Sequence, residues 1–178
     1  DQEQTKVESG SNYHVRVSGM VLLNVVSSHG AVDNLDLPLV ALAKAPGESG
    51  GALIAGVRQS FLSLGVFGPT IGGARTAGTL TFDFFGGFPV AGDGVTAGLA
   101  RLRTATVSLD GAKTSLVAGQ DVPFFSPETP TSFSSVAYPA LASAGNIWSW
   151  TPQVYVERRV GLGGRSSMVL QAGMLDAL

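Results

Sequence analysis

The sequence predicts an all-β fold whose antiparallel strands cross a membrane as a β-barrel. Three observations support this prediction: segments that alternate apolar and polar residues, connections that alternate in length, and a low charge content. Charged residues make up 13% and hydrophobic residues 44% of the 178 residues, whereas a water-soluble domain usually carries about 25% charged residues. No apolar run approaches the roughly 18 residues that a transmembrane helix needs. The composition therefore leaves a membrane barrel, or a large β-protein with heavily buried sheets.

The clearest strand pair begins at Arg101. Between Thr104 and Leu109, polar and apolar residues alternate with a period of two, which is typical of a strand with one polar and one apolar face. Asp110 and Gly111 form a dipeptide that strongly favours a hairpin turn. A second strand is predicted over 114–124, and a long segment rich in Pro, Ser and Thr follows it.

The rest of the chain repeats this order of strand, short turn, strand and long loop. The other predicted strands cover 13–26, 58–67, 75–85, the segment around 153–159, and 165–175, and the apolar run 37–43 within the first long connection is predicted as a short helix. Seven strands of about ten residues, joined by alternately long and short connections, are the layout of transmembrane barrels.

The strand number carries a further expectation about the domain organisation. Bacterial single-chain barrels have an even number of strands, so seven strands predict the N-terminal portion of a larger barrel. Residues 1–12 are then a polar N-terminal segment, and residues 13–178 are the N-terminal portion of a β-barrel domain.

The polar faces of the predicted strands hold the candidate pore-lining residues. Rings of such side chains set ion selectivity in channels. The alternative is that these charged residues lie at the rims and only aid solubility. Arg101 and Arg103 share the parity of Ala105 and Val107, which assigns both arginines to the outer rim. The candidates for the lumen are Arg16, Thr79, Thr81, Asp83, Gln153, Glu157 and Arg159.

Several stretches resemble the trimeric outer-membrane porins of the DcaP-like type. They are RLRTATVSLDGAKTSLVAGQDVPFFSPETPTSF followed by AGNIWSWTPQVYVERRV, and the earlier VRQSFLSLGVFGP-TIGGARTAGTLTFDFFGG. Together they cover roughly 57–175, and their order and spacing are more specific than any single motif. The resemblance identifies the chain as the N-terminal portion of such a porin.

The resemblance implies a homotrimer of barrels with about sixteen strands each in the bacterial outer membrane. It also implies passive diffusion of small hydrophilic solutes, including anionic ones, past a third loop that folds inward as a constriction. That loop corresponds here to about 125–151, with Glu128, Thr131 and Ser134 as candidate constriction residues. Phe61 departs from the pattern, because family members often carry a basic residue there.

Other functional classes have little support in the sequence. His14 and His29 lack metal-ligand spacing, and no Gly-x-Ser-x-Gly elbow occurs, so no enzymatic activity and no catalytic, cofactor or metal site is predicted. The net charge of −2 and the lack of a basic patch argue against nucleic acid. The expected partners are outer-membrane lipid, small solutes and further copies of the chain. The alternative is a secreted structural or interaction β-protein that assembles through exposed strand edges.

Overall fold

The computed structural model describes residues 7–8, 12–34, 36–38, 40–47, 50–87, 98–142 and 144–176. Within these ranges the chain forms twelve strands and no helix, so the all-β prediction is confirmed. The described residues include no helix with the length and apolar character needed to cross a membrane. The strands are β1 (Val7–Glu8), β2 (His14–Met20), β3 (Asn24–His29), β4 (Ala31–Val32), β5 (Ala41–Leu42), β6 (Gly51–Gly56), β7 (Phe61–Phe67), β8 (Arg75–Gly86), β9 (Leu99–Asp110), β10 (Thr114–Asp121), β11 (Thr151–Gly163) and β12 (Ser166–Leu175).

Eight of these strands form one antiparallel sheet in the order β1-β2-β7-β8-β9-β10-β11-β12. The sequence predicts seven strands, and the additional one is β1, which lies in the predicted polar segment 1–12; residues 1–6 and 9–11 of that segment lie outside the described residues. Within the described part of the chain the sheet is open, with β1 and β12 as its edges.

The connections of the sheet are sorted by length between its two ends. The long connections β2–β7, β8–β9 and β10–β11 share one end, here called the loop end, and the short connections share the other, the turn end. The turn between β7 and β8 places Gly72 and Gly73 at φ angles of 58° and 82°. Positive φ at two successive residues favours glycine, which has no Cβ to clash in this region.

The predicted strand 13–26 is divided into two strands, which corrects the expectation from its continuous alternation. β2 ends at Met20, and β3 pairs with β6 in a separate two-stranded sheet. The ladder breaks because the opposite chain makes a turn, in which the Ser60 amide donates to the Val57 carbonyl at 2.9 Å. The Ser60 hydroxyl then accepts from the Leu22 amide at 3.0 Å. Arg58 therefore lies in this turn and not on a strand.

The predicted short helix over 37–43 is also wrong for the residues that the structure describes. Ala41–Leu42 form β5, which pairs with β4. Val40 donates its amide to Asp33 Oδ1 at 3.0 Å, and the Asp33 amide donates to the Val40 carbonyl at 3.2 Å. These cross-chain bonds, together with Pro38, which has no amide hydrogen, favour a loop with a short ladder over a helix.

The sheet buries little on its apolar face. Among the described residues, the buried hydrophobic side chains are Leu37, Phe85 and Ala137, with Tyr138 packed against them at the loop end. Seven strands instead expose large hydrophobic side chains on the same face: Val17, Leu62, Leu80, Val107, Leu116, Val156 and Leu170. A contiguous apolar surface of this kind marks contact with a membrane or a partner.

Candidate functional site

The seven candidate pore-lining residues lie on one face of the sheet, here called the polar face. Directly opposed residues of paired strands share a face, and the registers extend this face from Arg16 through Gly65 to Thr79 and onward across β9, β10 and β11. Arg16 and Thr79 are exposed, whereas Asp83 and Gln153 are buried. Contact of this face with a pore stays a prediction. The residues on it are Arg16, Thr79, Thr81, Asp83, Gln153, Glu157 and Arg159.

A β-bulge in β9 places Arg101 and Arg103 on the polar face as well. The register shifts between Thr81 and Phe82, so β9 has one extra residue there, Arg103, and an extra residue changes which way the neighbouring side chains point. Arg101 donates from Nε and Nη2 to the two carboxylate oxygens of Asp83 at 3.0 and 2.6 Å. Arg101 and Arg103 therefore do not share the face of Ala105 and Val107, and the parity from which the sequence assigns them to the outer rim is corrected.

Asp83 is the centre of a compact cluster at the loop end. Its side chain has 0% exposure, and Oδ1 also accepts from the Phe85 amide at 3.0 Å. The Arg101 guanidinium lies 4.8 Å from the Tyr138 ring centroid and 4.9 Å from that of Trp150, within the range of cation–π attraction. Because a buried carboxylate is costly unless it is paired and hydrogen-bonded, these contacts fix the geometry of the cluster.

The connection from β10 to β11, here called the inner loop, packs back onto the polar face. Near its beginning, Gln153 Nε2 donates to the Val122 carbonyl at 2.7 Å. Further along, Gln59 Oε1 accepts from the Ser135 hydroxyl at 3.0 Å and from the Val136 amide at 2.9 Å. Gln153 lies on β11 and Gln59 lies in the turn before β7, so these two contacts hold the loop over the sheet.

The candidate constriction residues Glu128, Thr131 and Ser134 are exposed on the inner loop. Thr131 lines a cavity of about 430 Å³ between the loop and the polar face. Their role in narrowing a passage stays a prediction. On the side of the sheet and at the end of the loop the cavity is also lined by Phe61, Thr81, Arg103, Thr104, Trp148 and Trp150, so its lining combines a cation with hydroxyl groups and aromatic rings.

A second charged cluster lies on the polar face at the turn end. Asp110 pairs with Arg75 at 2.6 Å and with Arg159 at 3.1 Å, and it accepts from the Ser115 hydroxyl at 2.5 Å. Arg159 also pairs with Glu157 at 3.0 Å. The two positive charges of this group equal its two negative charges. Both arginines are solvent-exposed, so each ion pair contributes little to the free energy of unfolding.

The loop-end cluster is not balanced. Arg58 and Asp36 are buried and form an ion pair at 2.9 Å. Arg101 forms an ion pair with Asp83 at 2.6 Å. Arg103 lies on the far side of the same carboxylate, at 3.9 Å. Three arginines and two aspartates leave this group with one excess positive charge, which lies beside the cavity at Arg103.

Sequence reasoning missed the roles of Arg103 and Gln59. For Arg103 a signal was present: on β9 the arginines have one parity, whereas Thr104, Thr106 and Ser108 have the other. Two polar sets of opposite parity on one strand indicate a bulge between them. For Gln59 no local signal exists, because its partners lie 76 and 77 residues away. The described residues include no group of three or more His, Cys, Asp or Glu side chains that could hold a metal ion.

Comparison with known proteins shows the fold. No family model matches the chain, and no curated protein matches it. Among solved structures, it is similar to the crystal structure of the outer membrane channel DcaP of Acinetobacter baumannii, with a TM-score of 0.60 and 16% identity. The similarity covers 94% of this chain and 43% of that channel, so the chain spans less than half of the length of the protein it resembles.

Proposed function

We propose that this chain forms part of the wall of an outer-membrane porin, a water-filled channel through which small hydrophilic solutes diffuse passively. The observation that carries the proposal is the two-faced sheet, which exposes apolar side chains on one side and places hydroxyl and charged side chains, with the inner loop, on the other. Lipid would cover the first face and water the second. In a membrane this arrangement requires closure, because unpaired backbone groups are costly in hydrocarbon.

The finer features of the proposal are a barrel of about sixteen strands, assembly as a homotrimer, and location in the bacterial outer membrane. Two observations support the larger barrel. The sheet leaves its two edges, β1 and β12, open within the described residues, and the matched part is 43% of the DcaP channel. On this proposal the protein is a channel, not an enzyme, and it works without a cofactor.

A preference for anionic solutes is supported by the position of Arg103. This side chain lines the cavity under the inner loop, and its guanidinium lies 5.1 Å from the Trp150 ring centroid and 5.5 Å from that of Phe61. The nearby carboxylate, Asp83, is bonded more closely by Arg101. A solute that passes between the loop and the sheet would therefore meet the Arg103 guanidinium, whose charge Asp83 does not fully compensate.

The experiment measures ion selectivity of the natural full-length protein in planar bilayers. A unit charge about 4 Å from a hydrated ion changes its energy by about 1 kcal/mol in water, equivalent to about a fivefold change in local concentration. With salt screening, Arg103→Gln should lower the anion-to-cation permeability ratio about two- to fivefold. Arg158→Gln is the matched control, because Arg158 is exposed and shares the parity of Val156 on the apolar face.

Two results would contradict the proposal. Absence of channels in a correctly inserted protein would remove the porin function itself. Equal shifts from Arg103→Gln and Arg158→Gln would leave the channel but remove the inner loop region as the source of selectivity.

One observation favours the alternative of a secreted interaction protein. β12 is exposed along nearly its whole length, and an exposed edge strand is a template for pairing with another chain. Extraction separates the two functions. A porin requires detergent to leave the membrane fraction, whereas a secreted protein that assembles through β12 stays in solution without it.

A further inference from the structure

The three long connections at the loop end meet at two neighbouring residues, Arg58 and Gln59. Both side chains are 2% exposed, although they are polar and lie in the turn that precedes β7. Arg58 Nη1 donates to both carboxylate oxygens of Asp36, at 3.1 and 2.9 Å. Its Nη2 donates to the carbonyls of Gly86 and Gly87. Arg58 thus joins the β2–β7 connection to the start of the β8–β9 connection.

Gln59 joins the third connection, the inner loop, to the same point. Its Oε1 accepts from the Ser135 hydroxyl and the Val136 amide. The Ser135 oxygen in turn accepts from the amides of Ala137 and Tyr138, at 3.0 and 3.3 Å. Gln59 therefore holds a tight turn of the inner loop whose own amides are already organised around one hydroxyl.

The small hydrophobic core packs two of these connections against the end of β8. Leu37 belongs to the β2–β7 connection, Phe85 to the end of β8, and Ala137 and Tyr138 to the inner loop. The Arg58 guanidinium lies 4.5 Å from the Phe85 ring centroid. Polar and apolar contacts thus converge on one unit, and separation of the inner loop from the wall would break both.

We propose that Gln59 is a positioning residue that keeps the inner loop folded against the polar face. With Gln59 present, the docked loop has acceptors for its buried Ser135 hydroxyl and its Val136 amide. Without that acceptor the docked state leaves the buried Ser135 hydroxyl and the partly buried Val136 amide unpaired, which is costly, whereas both donors bond water in the released loop. Arg58, next to Gln59, holds Asp36 and the Gly86 and Gly87 carbonyls against the same turn.

The inference rests on the proposed channel function for its consequence, but loop docking can be measured independently. This sequence contains no cysteine, and Phe133 on the inner loop is fully exposed. A spin label on Phe133→Cys, in the full-length protein with any other cysteine replaced, reports whether the loop is restrained. Single-channel recording of the same protein reports whether the loop narrows a passage.

Gln59→Met removes the acceptor and keeps an unbranched side chain of similar length. Loss of two hydrogen bonds is partly offset, because Met also removes Gln59 Nε2, a buried donor that has no hydrogen-bond partner among the described residues; the ratio of released to docked loop should rise about 2- to 10-fold. The mobile component of the spectrum should grow, and open-channel noise should increase. Gln171→Met is the matched control, because the Gln171 amide donates to Glu157 on the neighbouring strand at 3.3 Å; its spectrum should stay that of the parent.

Ser135→Ala is the second variant: alone it should also enlarge the mobile component of the spectrum, because it removes the bond from the Ser135 hydroxyl to Gln59, and this keeps the test valid if Gln59→Met does not fold. It removes one of the two partners of Gln59, so its effect combined with Gln59→Met should be smaller than the sum of the single effects. Additive effects, or an unchanged label in both variants, would overturn the proposal and leave the bonds from Arg101 and Arg103 to the loop as the attachment. A mobile label without any conductance would keep the positioning role and contradict the channel.

Discussion

Substitution of two neighbouring residues by arginine would test which face of the sheet meets lipid. Leu80 is the sixth residue of the twelve-residue strand β8, near its middle. It lies on the apolar face, where it opposes Leu64 on one side and Ala105 on the other. Thr79 precedes it on the polar face and opposes Gly65. The two substitutions, Leu80→Arg and Thr79→Arg, introduce the same side chain at nearly the same depth on opposite faces.

The two substitutions should lower the free energy of unfolding by different amounts, because Leu80 lies on the apolar face of the sheet and Thr79 on the polar face. An arginine on the lipid face near the bilayer midplane costs about 2–4 kcal/mol, which Leu80→Arg should show as a loss of unfolding free energy. Thr79→Arg removes the bond between the Thr79 and Thr106 hydroxyls, which are 2.7 Å apart, worth about 0.5–1.5 kcal/mol. Gly65 has no side chain to obstruct the new group, and repulsion from Arg16 beyond it is at most about 1 kcal/mol in water.

The assay combines equilibrium unfolding by urea in lipid vesicles with ion selectivity in planar bilayers. Leu80→Arg should be less stable than Thr79→Arg by about 1–3 kcal/mol, and Thr79→Arg alone should shift selectivity toward anions. A soluble sandwich could also reject Leu80→Arg, so the altered ion flux of Thr79→Arg is the decisive observation. If Thr79→Arg is the more damaging of the two, the assignment of the faces is reversed and the proposed pore lining on β8 falls with it.

Two further predictions concern the loop end. Asp83→Asn keeps the shape of the side chain but leaves Arg101 without its buried counter-charge, and should lower the unfolding free energy by about 3–5 kcal/mol while raising anion selectivity. Asp121→Asn is its control, since an amide oxygen can still accept from the Val122 amide; equal stability of both variants would contradict the pairing of Asp83. Deletion of residues 131–142 of the inner loop should raise single-channel conductance in planar bilayers, and unchanged conductance would place the loop away from the passage.

The parts of the fold that depend on local alternation were predictable from the sequence. On β8 the sequence assigns Leu80 and Phe82 to one face and Thr79 and Thr81 to the other, and the cross-strand registers confirm this division. The hairpin turn after Asp110 is also confirmed, with the Gly111 amide bonded to the Thr114 carbonyl at 2.9 Å. In each case the determining interaction lies within a few residues, so the pattern contains it.

The errors arise where a distant part of the chain interrupts the ladder. The alternation through Val21 and Val25 continues past Met20, but the strand pairing does not, because the turn containing Ser60 lies opposite. On β9, Arg103 shifts the parity of Arg101, and the position of that bulge is set by the pairing of β9 with β8. The two polar sets of opposite parity along β9 indicate a bulge, but only the pairing with β8 shows that Arg103 is the extra residue.

The candidate site was less predictable than the sheet because its decisive contacts link distant residues. Arg58 and Asp36 are 22 positions apart, Arg101 and Tyr138 are 37 apart, and Gln59 and Ser135 are 76 apart. A large hydrophobic core can guide such contacts, but here the strands expose their apolar side chains on one face and the described core is confined to the loop end. We therefore expect buried polar pairs to position the loops. Little apolar surface holds a docked loop, so its buried donors need hydrogen-bond acceptors and its buried charges need counter-charges. Arg58 and Gln59, which precede β7, make these contacts with Asp36 and with the inner loop.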